Sequence, residues 1–197
     1  MTRTTIRQAG PTDAAALADL AAETFPLACP PSTTPEAIAE FIAVNFTVER
    51  FDAYLADSDR ILMVAEVGAE AEIDADSAEG DAGELVGYTM LVAGEPADAD
   101  VAAAVTARPT IELSKFYTRK VLHGTGSVAG PLMIGTLEAA EETGAAAVWL
   151  GVNEENERAI RFYEKHGFVK SGRKHFRLGD RDEDDWVLVR PAAAGAA

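Results

Sequence analysis

The sequence predicts a mixed α/β fold in a single domain, on three observations. Strand and helix patterns follow one another in mixed order along the chain. The last third alternates strand, helix, strand, helix and strand, which is how an open sheet with packed helices is written in sequence. With 197 residues, 48% of them hydrophobic, the chain can bury one sizeable core. The domain is expected over residues 1–191, with 192–197 as a flexible tail.

Taken in order, Thr5–Ala9 reads as a short strand. Thr12 or Asp13 then offers an N-cap for a helix from Ala14 to Thr24, with Leu17, Leu20 and Ala21 on its apolar face. Pro26, Pro30 and Pro31 interrupt the chain, and Pro35 opens a second helix carrying Ile38, Phe41 and Ile42. A third helix, Val48 to Asp57, places Phe51, Tyr54 and Leu55 on one side. Ile61–Glu66 and Leu85–Val92 have buried-strand composition and are expected to pair antiparallel. The acidic, alanine-rich stretch 68–83 between them is an insertion with no basic residue, and Glu95 to Ala107 is a second acidic connection.

Further along, Ile111–Thr118 is a strand, and Val128–Thr143 a helix closed by Gly144. Ala147–Val152 is a fully apolar strand. Asn156–His166 is a helix ended by Gly167, a residue at ease in the left-handed C-terminal position. Two terminal strands, 168–170 and 186–189, flank an acidic loop from Gly179 to Asp185.

Charge narrows the function. Thirty-three acidic against 17 basic residues give a formal charge of −16, which repels nucleic acid and anionic membrane surfaces and draws in cationic amines. No apolar run is long enough to span a bilayer, and the first residues lack the apolar stretch of a signal peptide. A lone cysteine, Cys29, excludes an internal disulfide and suits a cytoplasmic setting. It has no evident base partner that would make it a nucleophile. The three histidines are not spaced with carboxylates as metal ligands, so no metal is expected.

The turn His123-Gly124-Thr125-Gly126-Ser127, followed by Val128, joins a strand to a helix. Glycines let a backbone approach an anion, and the first N–H groups of the helix are unpaired donors. Pro131 is tolerated only in a first turn, which fixes the helix start directly after the glycines. Gly124-x-Gly126-x-x-Ala129 also fits a dinucleotide fingerprint, but too few residues follow to complete that sheet.

Glu112–Thr118 followed by His123-Gly124-Thr125-Gly126 resembles motif A of the GNAT superfamily of N-acetyltransferases, with His123 where Gln or Arg is usual. Val128 holds the motif's small-residue position if Gly126 aligns directly, and Ala129 does so if Ser127 is an insertion. Asn156-x-x-Ala159-x-x-Phe162-Tyr163-x-x-x-Gly167-Phe168 is similar to motif B. The resemblance implies a mostly antiparallel seven-stranded mixed sheet whose fourth and fifth strands splay apart. It implies acetyl-CoA as co-substrate, with the backbone of Phe116, Tyr117 and Thr118 pairing with the pantetheine arm. The turn from His123 to Val128 would hold the pyrophosphate, Asn156 would bond the cofactor, and Tyr163 would lie near its sulfur.

Trp149-Leu150-Gly151-Val152, Asn156-Glu157-x-Ala159-Ile160 and Phe176-x-Leu178-Gly179-Asp180 look like the PaiA-type polyamine acetyltransferase branch. That suggests a polyamine or another small cationic amine as acceptor, attacked directly within a ternary complex. Tyr163 is then the candidate general acid, and Glu112, on the strand entering the site, the candidate base. The acidic run from Asp180 to Asp185 is a candidate for amine recognition. A peptide acetyltransferase and a non-catalytic acyl-CoA sensor are the alternatives, and homodimers are common in the superfamily.

Overall fold

The structure, a computed structural model, describes residues 3–29, 33–68, 83–119, 128–178 and 181–192. Most of the acidic insertion, the glycine turn 123–127, Asp180 and most of the tail lie outside the described residues. Seven strands form one mixed sheet in the order β1-β2-β3-β4-β5-β7-β6. The chain divides into two compact units, one running to Met90 with Lys115–Gly135, the other comprising Leu91–Ser114 and Thr136 onward.

In the first unit, β1 (Arg3–Gln8) pairs antiparallel with β2 (Arg60–Gly68), Ile6 opposite Ala65. Leu62, Met63, Val64 and Ala65 form the buried centre of β2, as their continuous apolar run requires. Strand β3 (Glu84–Ala93) is next in the sheet. Helix α1 (Ala14–Thr24) buries Leu17, Leu20 and Ala21 and packs against α3 (Val48–Ala56). Asp13 stands at the N-cap of α1 but makes no capping bond. Its carboxylate takes two guanidinium bonds from Arg7, at 2.7 and 2.9 Å, and the Gly10 N–H at 2.7 Å, so it is turned toward β1 and the preceding turn rather than the helix.

Helix α2 (Pro35–Asn45) has Pro35 in its first turn and Thr34 as its cap, accepting the Ala37 N–H at 3.2 Å. It buries none of its own residues completely, and Phe41 is 42% exposed. The predicted apolar face of α2 is therefore half open.

In the second unit, β5 (Ala147–Asn153) pairs antiparallel with β7 (Arg181–Pro191) along its whole length, and β7 pairs with β6 (Val169–Leu178). These last strands are longer than the sequence suggested, and residues 181–185 are strand rather than loop. Charge complementarity explains it. Lys174 sits opposite Asp185 and His175 opposite Asp184, so basic positions of one strand face acidic positions of the other. Lys170 and Arg173 also lie over the Trp186 ring, at 4.6 and 4.2 Å from its centre.

The acidic connection before β4 holds a helix the sequence reading missed, α4 (Ala99–Ala104). Asp98 caps it, accepting the Asp100 and Val101 N–H groups at 2.9 and 3.1 Å. Val101 and Val105 bury themselves with Trp149 and Val187. Helix α6 (Glu157–Lys165) follows β5 and ends at Gly167, whose φ of 86° is the left-handed value expected of it.

Candidate active site

The strand β4 (Thr110–Thr118) and helix α5 (Ala129–Glu142) each contribute to both units. Next to β5, β4 runs parallel, and the pairing covers three positions: Thr110 with Ala147, Ile111 with Val148 and Glu112 with Trp149. Beyond that point β4 continues to Thr118, while β5 continues to Asn153 in its pairing with β7. Glu112 therefore stands at the last rung of the parallel ladder, half-buried.

On β5's far side the chain turns through Glu154 and Glu155 into α6. Asn156 is its N-cap, and its Oδ1 accepts the Ala159 N–H at 3.1 Å. Tyr163 lies two turns further on, seven residues from Asn156, so the two share one side of the helix. Its half-buried ring meets Phe168 edge-on, with centres 5.8 Å apart, and Phe168 is buried. Phe162 is half-buried; its ring lies 4.4 Å from that of His166, whose Nδ1 is 2.8 Å from the Phe162 carbonyl.

The first unit holds the far end of β4. Strand alternation sets Lys115 and Tyr117 on one face, Phe116 and Thr118 on the other. The Thr118 methyl lies on the face of Gly87 and Leu132 of α5, since a Cβ at Gly87 would come 3.0 Å from it and 3.1 Å from Leu132. The Tyr117 ring stacks on that of Tyr88, centres 5.6 Å apart. Past Thr118, the Arg119 N–H donates to the Val86 carbonyl at 2.9 Å, and its guanidinium pairs with Glu23 and Glu84.

Helix α5 starts where Pro131 demanded. The Val128 carbonyl accepts the Leu132 N–H at 2.9 Å, so Val128 is the residue before the first helical turn, with its side chain buried. That turn carries no acidic residue. Of the residues read from sequence as a phosphate cradle, Val128 is thus at a helix start, and His123, Gly124, Thr125, Gly126 and Ser127 lie outside the described residues.

An aromatic series in this unit was not foreseen. Phe41 stacks on Phe25 at 4.6 Å, both meet Phe46, and Phe46 leads through Phe51 to Tyr88 and Tyr117. The signal for it was available, since four of the eight phenylalanines fall between positions 25 and 51. Burial drives the Tyr88 phenol well above its ordinary pKa and pushes Tyr117 up to about 12, so both stay protonated at neutral pH. Burial also pushes the Cys29 thiol upward, against its ionisation, and its Sγ sits 3.4 Å from the Phe25 carbonyl.

Among the described residues no helix is long and apolar enough to cross a membrane, and no group of three histidine, cysteine or carboxylate side chains is placed to hold a metal. Residues 20–168 match the acetyltransferase (GNAT) family. An uncharacterized N-acetyltransferase of Mycobacterium bovis is 43% identical over 179 residues, covering 91% of this chain and 97% of that protein. PaiA N-acetyltransferase from Thermoplasma acidophilum, solved in complex with coenzyme A, superposes with a TM-score of 0.68 at 18% identity, over 95% of this chain and 98% of that one. The spermidine/spermine N-acetyltransferase SpeG from Vibrio cholerae, solved with manganese ions, does so with a TM-score of 0.58 at 17% identity, over 96% and 93%.

Proposed function

This chain belongs to the acetyltransferase (GNAT) family and is an acetyl-CoA-dependent N-acetyltransferase, and from that premise we propose that its acceptor is a small primary amine, with polyamines foremost. The observation that carries the reading is the β4–β5 ladder, which stops after three pairs. Beyond it β4 continues for six residues, among which the backbone of Phe116, Tyr117 and Thr118 would pair with the amides of a pantetheine arm. The acid-free first turn of α5 suits the pyrophosphate, whose charge the helix N-terminus stabilises. The turn 123–127 leads into it.

The chemistry needs no protein nucleophile. The acceptor nitrogen attacks the thioester carbonyl carbon; the N–C bond forms as the C–S bond breaks. Glu112 receives the nitrogen's surplus proton, directly or through water. Tyr163 gives its phenolic proton to the departing sulfur. Asn156, already anchored through Oδ1 to the α6 backbone, has its side-chain amide hydrogens for the cofactor. Binding both reactants together would supply the orientation that a solution encounter lacks.

A polyamine acceptor is supported by the chain's charge of −16, which raises the local concentration of cations, and by the fold shared with PaiA and with the spermidine/spermine enzyme. The test is titration calorimetry with acetyl-CoA, followed by thiol release on adding spermidine, spermine and simple diamines. Binding with release is expected. Binding without release from any amine would overturn the small-amine acceptor and turn attention to peptides, and failure to bind acetyl-CoA would overturn the whole reading.

A further inference from the structure

Two residues before Asn156, the turn from β5 to α6 is tied to the β6–β7 pair by both main chain and side chain. The Glu154 N–H donates to the Asp184 carbonyl at 3.1 Å. The Glu154 carboxylate pairs with the Arg173 guanidinium, Oε2 to Nη1, at 3.0 Å. From there the turn closes on itself. The Glu155 N–H donates to Asn153 Oδ1 and the Asn156 N–H to the Asn153 carbonyl, both at 3.0 Å. Whatever moves Glu154 therefore moves Asn156, which stands exposed at the head of α6.

Arg173 is aimed at this contact by its strand. The β6–β7 register shifts between Lys170 and Gly172, leaving Ser171 as the extra residue of a β-bulge. On a regular strand, residues three apart point to opposite faces. Here the extra residue brings Lys170 and Arg173 to one face, and both lie over the Trp186 ring, at 4.6 and 4.2 Å from its centre. Gly172 meets α4 instead, where a Cβ would come 2.5 Å from that of Ala104. Re-aiming a side chain is a common use of a bulge. The guanidinium is planar, so its face rests on the indole while its edge pairs with Glu154, a combination that a lysine ammonium does not offer. The Asp184 carboxylate, bonded to His175, stands beside it, 3.9 Å from Nη1. The Arg173 and Glu154 side chains are 44% and 38% exposed, and an ion pair that open to water adds little stability. A bulge that aims such an arginine serves geometry.

We propose that Arg173 is a positioning residue for coenzyme A: through Glu154 it fixes the turn that presents the Asn156 amide to the cofactor. The inference rests on the acetyltransferase reading and on Asn156 as a cofactor contact, and it adds the residue that holds that contact in place. Every residue of the relay, from Trp186 to Asn156, belongs to the second compact unit.

Titration calorimetry of the full chain with coenzyme A tests it. Arg173→Gln should raise Kd about twofold to tenfold, the range for one weakened hydrogen bond, and lower the melting temperature by no more than about 4 °C. Glu154→Gln should weaken binding by a similar factor. Agreement in direction is the signature of positioning. On charge alone, losing a cation weakens the hold on an anionic cofactor and losing an anion strengthens it. In an Asn156→Ser background both effects should vanish, since the group they position is gone. Affinity unchanged in Arg173→Gln, unchanged or raised in Glu154→Gln, or reduced as much in the Asn156→Ser background as in the parent would overturn the proposal. If Asn156→Ser alone binds coenzyme A as tightly as the parent, the contact assigned to Asn156 falls and the proposal with it. A parent that binds no coenzyme A would instead overturn the acetyltransferase reading beneath both.

Discussion

Gly87→Ala tests whether the close approach of β3, β4 and α5 shapes the cofactor strand. A Cβ at position 87 would stand 3.0 Å from the Thr118 methyl, 3.1 Å from a Leu132 methyl and 3.2 Å from the Tyr117 carbonyl oxygen. All three are tighter than ordinary van der Waals contact, and the last is backbone, which cannot rotate aside. Overpacking of this kind costs about 1–3 kcal/mol. Gly87 does not have the positive φ of Gly94, Gly144 and Gly167, so alanine meets no conformational strain and recovers about 0.4–1 kcal/mol of unfolded-state entropy. The net is a loss of about 1–2 kcal/mol, or roughly 2–8 °C in melting temperature for a chain of this size. The displaced group is the Tyr117 carbonyl, so acetyl-CoA affinity should fall with stability. Differential scanning calorimetry and acetyl-CoA titration on the same preparations read both. A variant as stable as its parent with undiminished acetyl-CoA affinity would refute the reasoning, because the strand would then have yielded at no energetic cost.

Tyr163→Phe should lower kcat about a hundredfold with little change in either KM, the signature of a lost proton donor, and stopped-flow thiol release would measure it. Glu112→Gln should weaken turnover most at low pH, where the parent's base still works on a shrinking fraction of neutral amine; turnover equal to the parent in both variants would remove both assignments. Asn156→Ser keeps the α6 cap but shortens the reach, so it should hold the melting temperature while raising KM for acetyl-CoA, whereas Asn156→Ala should lose about 1 kcal/mol of stability as well. The Arg7 guanidinium, bonded at 2.7 and 2.9 Å, holds the Asp13 carboxyl below the usual carboxylate range. A depressed folded pKa gives stability that is present above the unfolded pKa and lost as pH falls through the folded one. Asp13→Asn should therefore cost about 1–2 kcal/mol at pH 7, discounted because Arg7 is 37% exposed, and the gap to the parent should close in melts between pH 5 and pH 2.

The fold was legible wherever a local rule decides. Helices α1, α5 and α6 announce themselves by apolar spacing and by Pro131, Gly144 and Gly167 at their ends, and the structure places those glycines at φ of 75° and 86°. Illegible features depend on what lies opposite in space. The outer half of β7, residues 181–185, is a run of charged residues that a single-segment reading assigns to a loop; it is strand because Lys174 of β6 sits opposite Asp185 and His175 opposite Asp184. Helix α4 is short and alanine-rich, and only the burial of Val101 and Val105 beside Trp149 fixes it. Asp13 has the composition of a cap, yet a competing guanidinium from β1 claims it.

The candidate site divides along the same line. Asn156 and Tyr163 sit seven residues apart on one helix, so their common side follows from helical pitch alone. Glu112 is legible as a strand residue, but its place at the last rung of the β4–β5 ladder depends on Trp149, which arrives from a strand far along the chain. Tyr88 is the extreme case. In sequence it is one apolar residue in the run Leu85–Val92, and a strand reading assigns it to the core. Its distinction arises only when β3 lies against α3 and β4, where Phe51 and Tyr117 enclose the ring and no described group meets the hydroxyl. A core position filled by phenylalanine would pack the same rings without the desolvation penalty. Tyrosine there carries a desolvation cost that no described partner offsets, and no pattern within a single strand could have announced it.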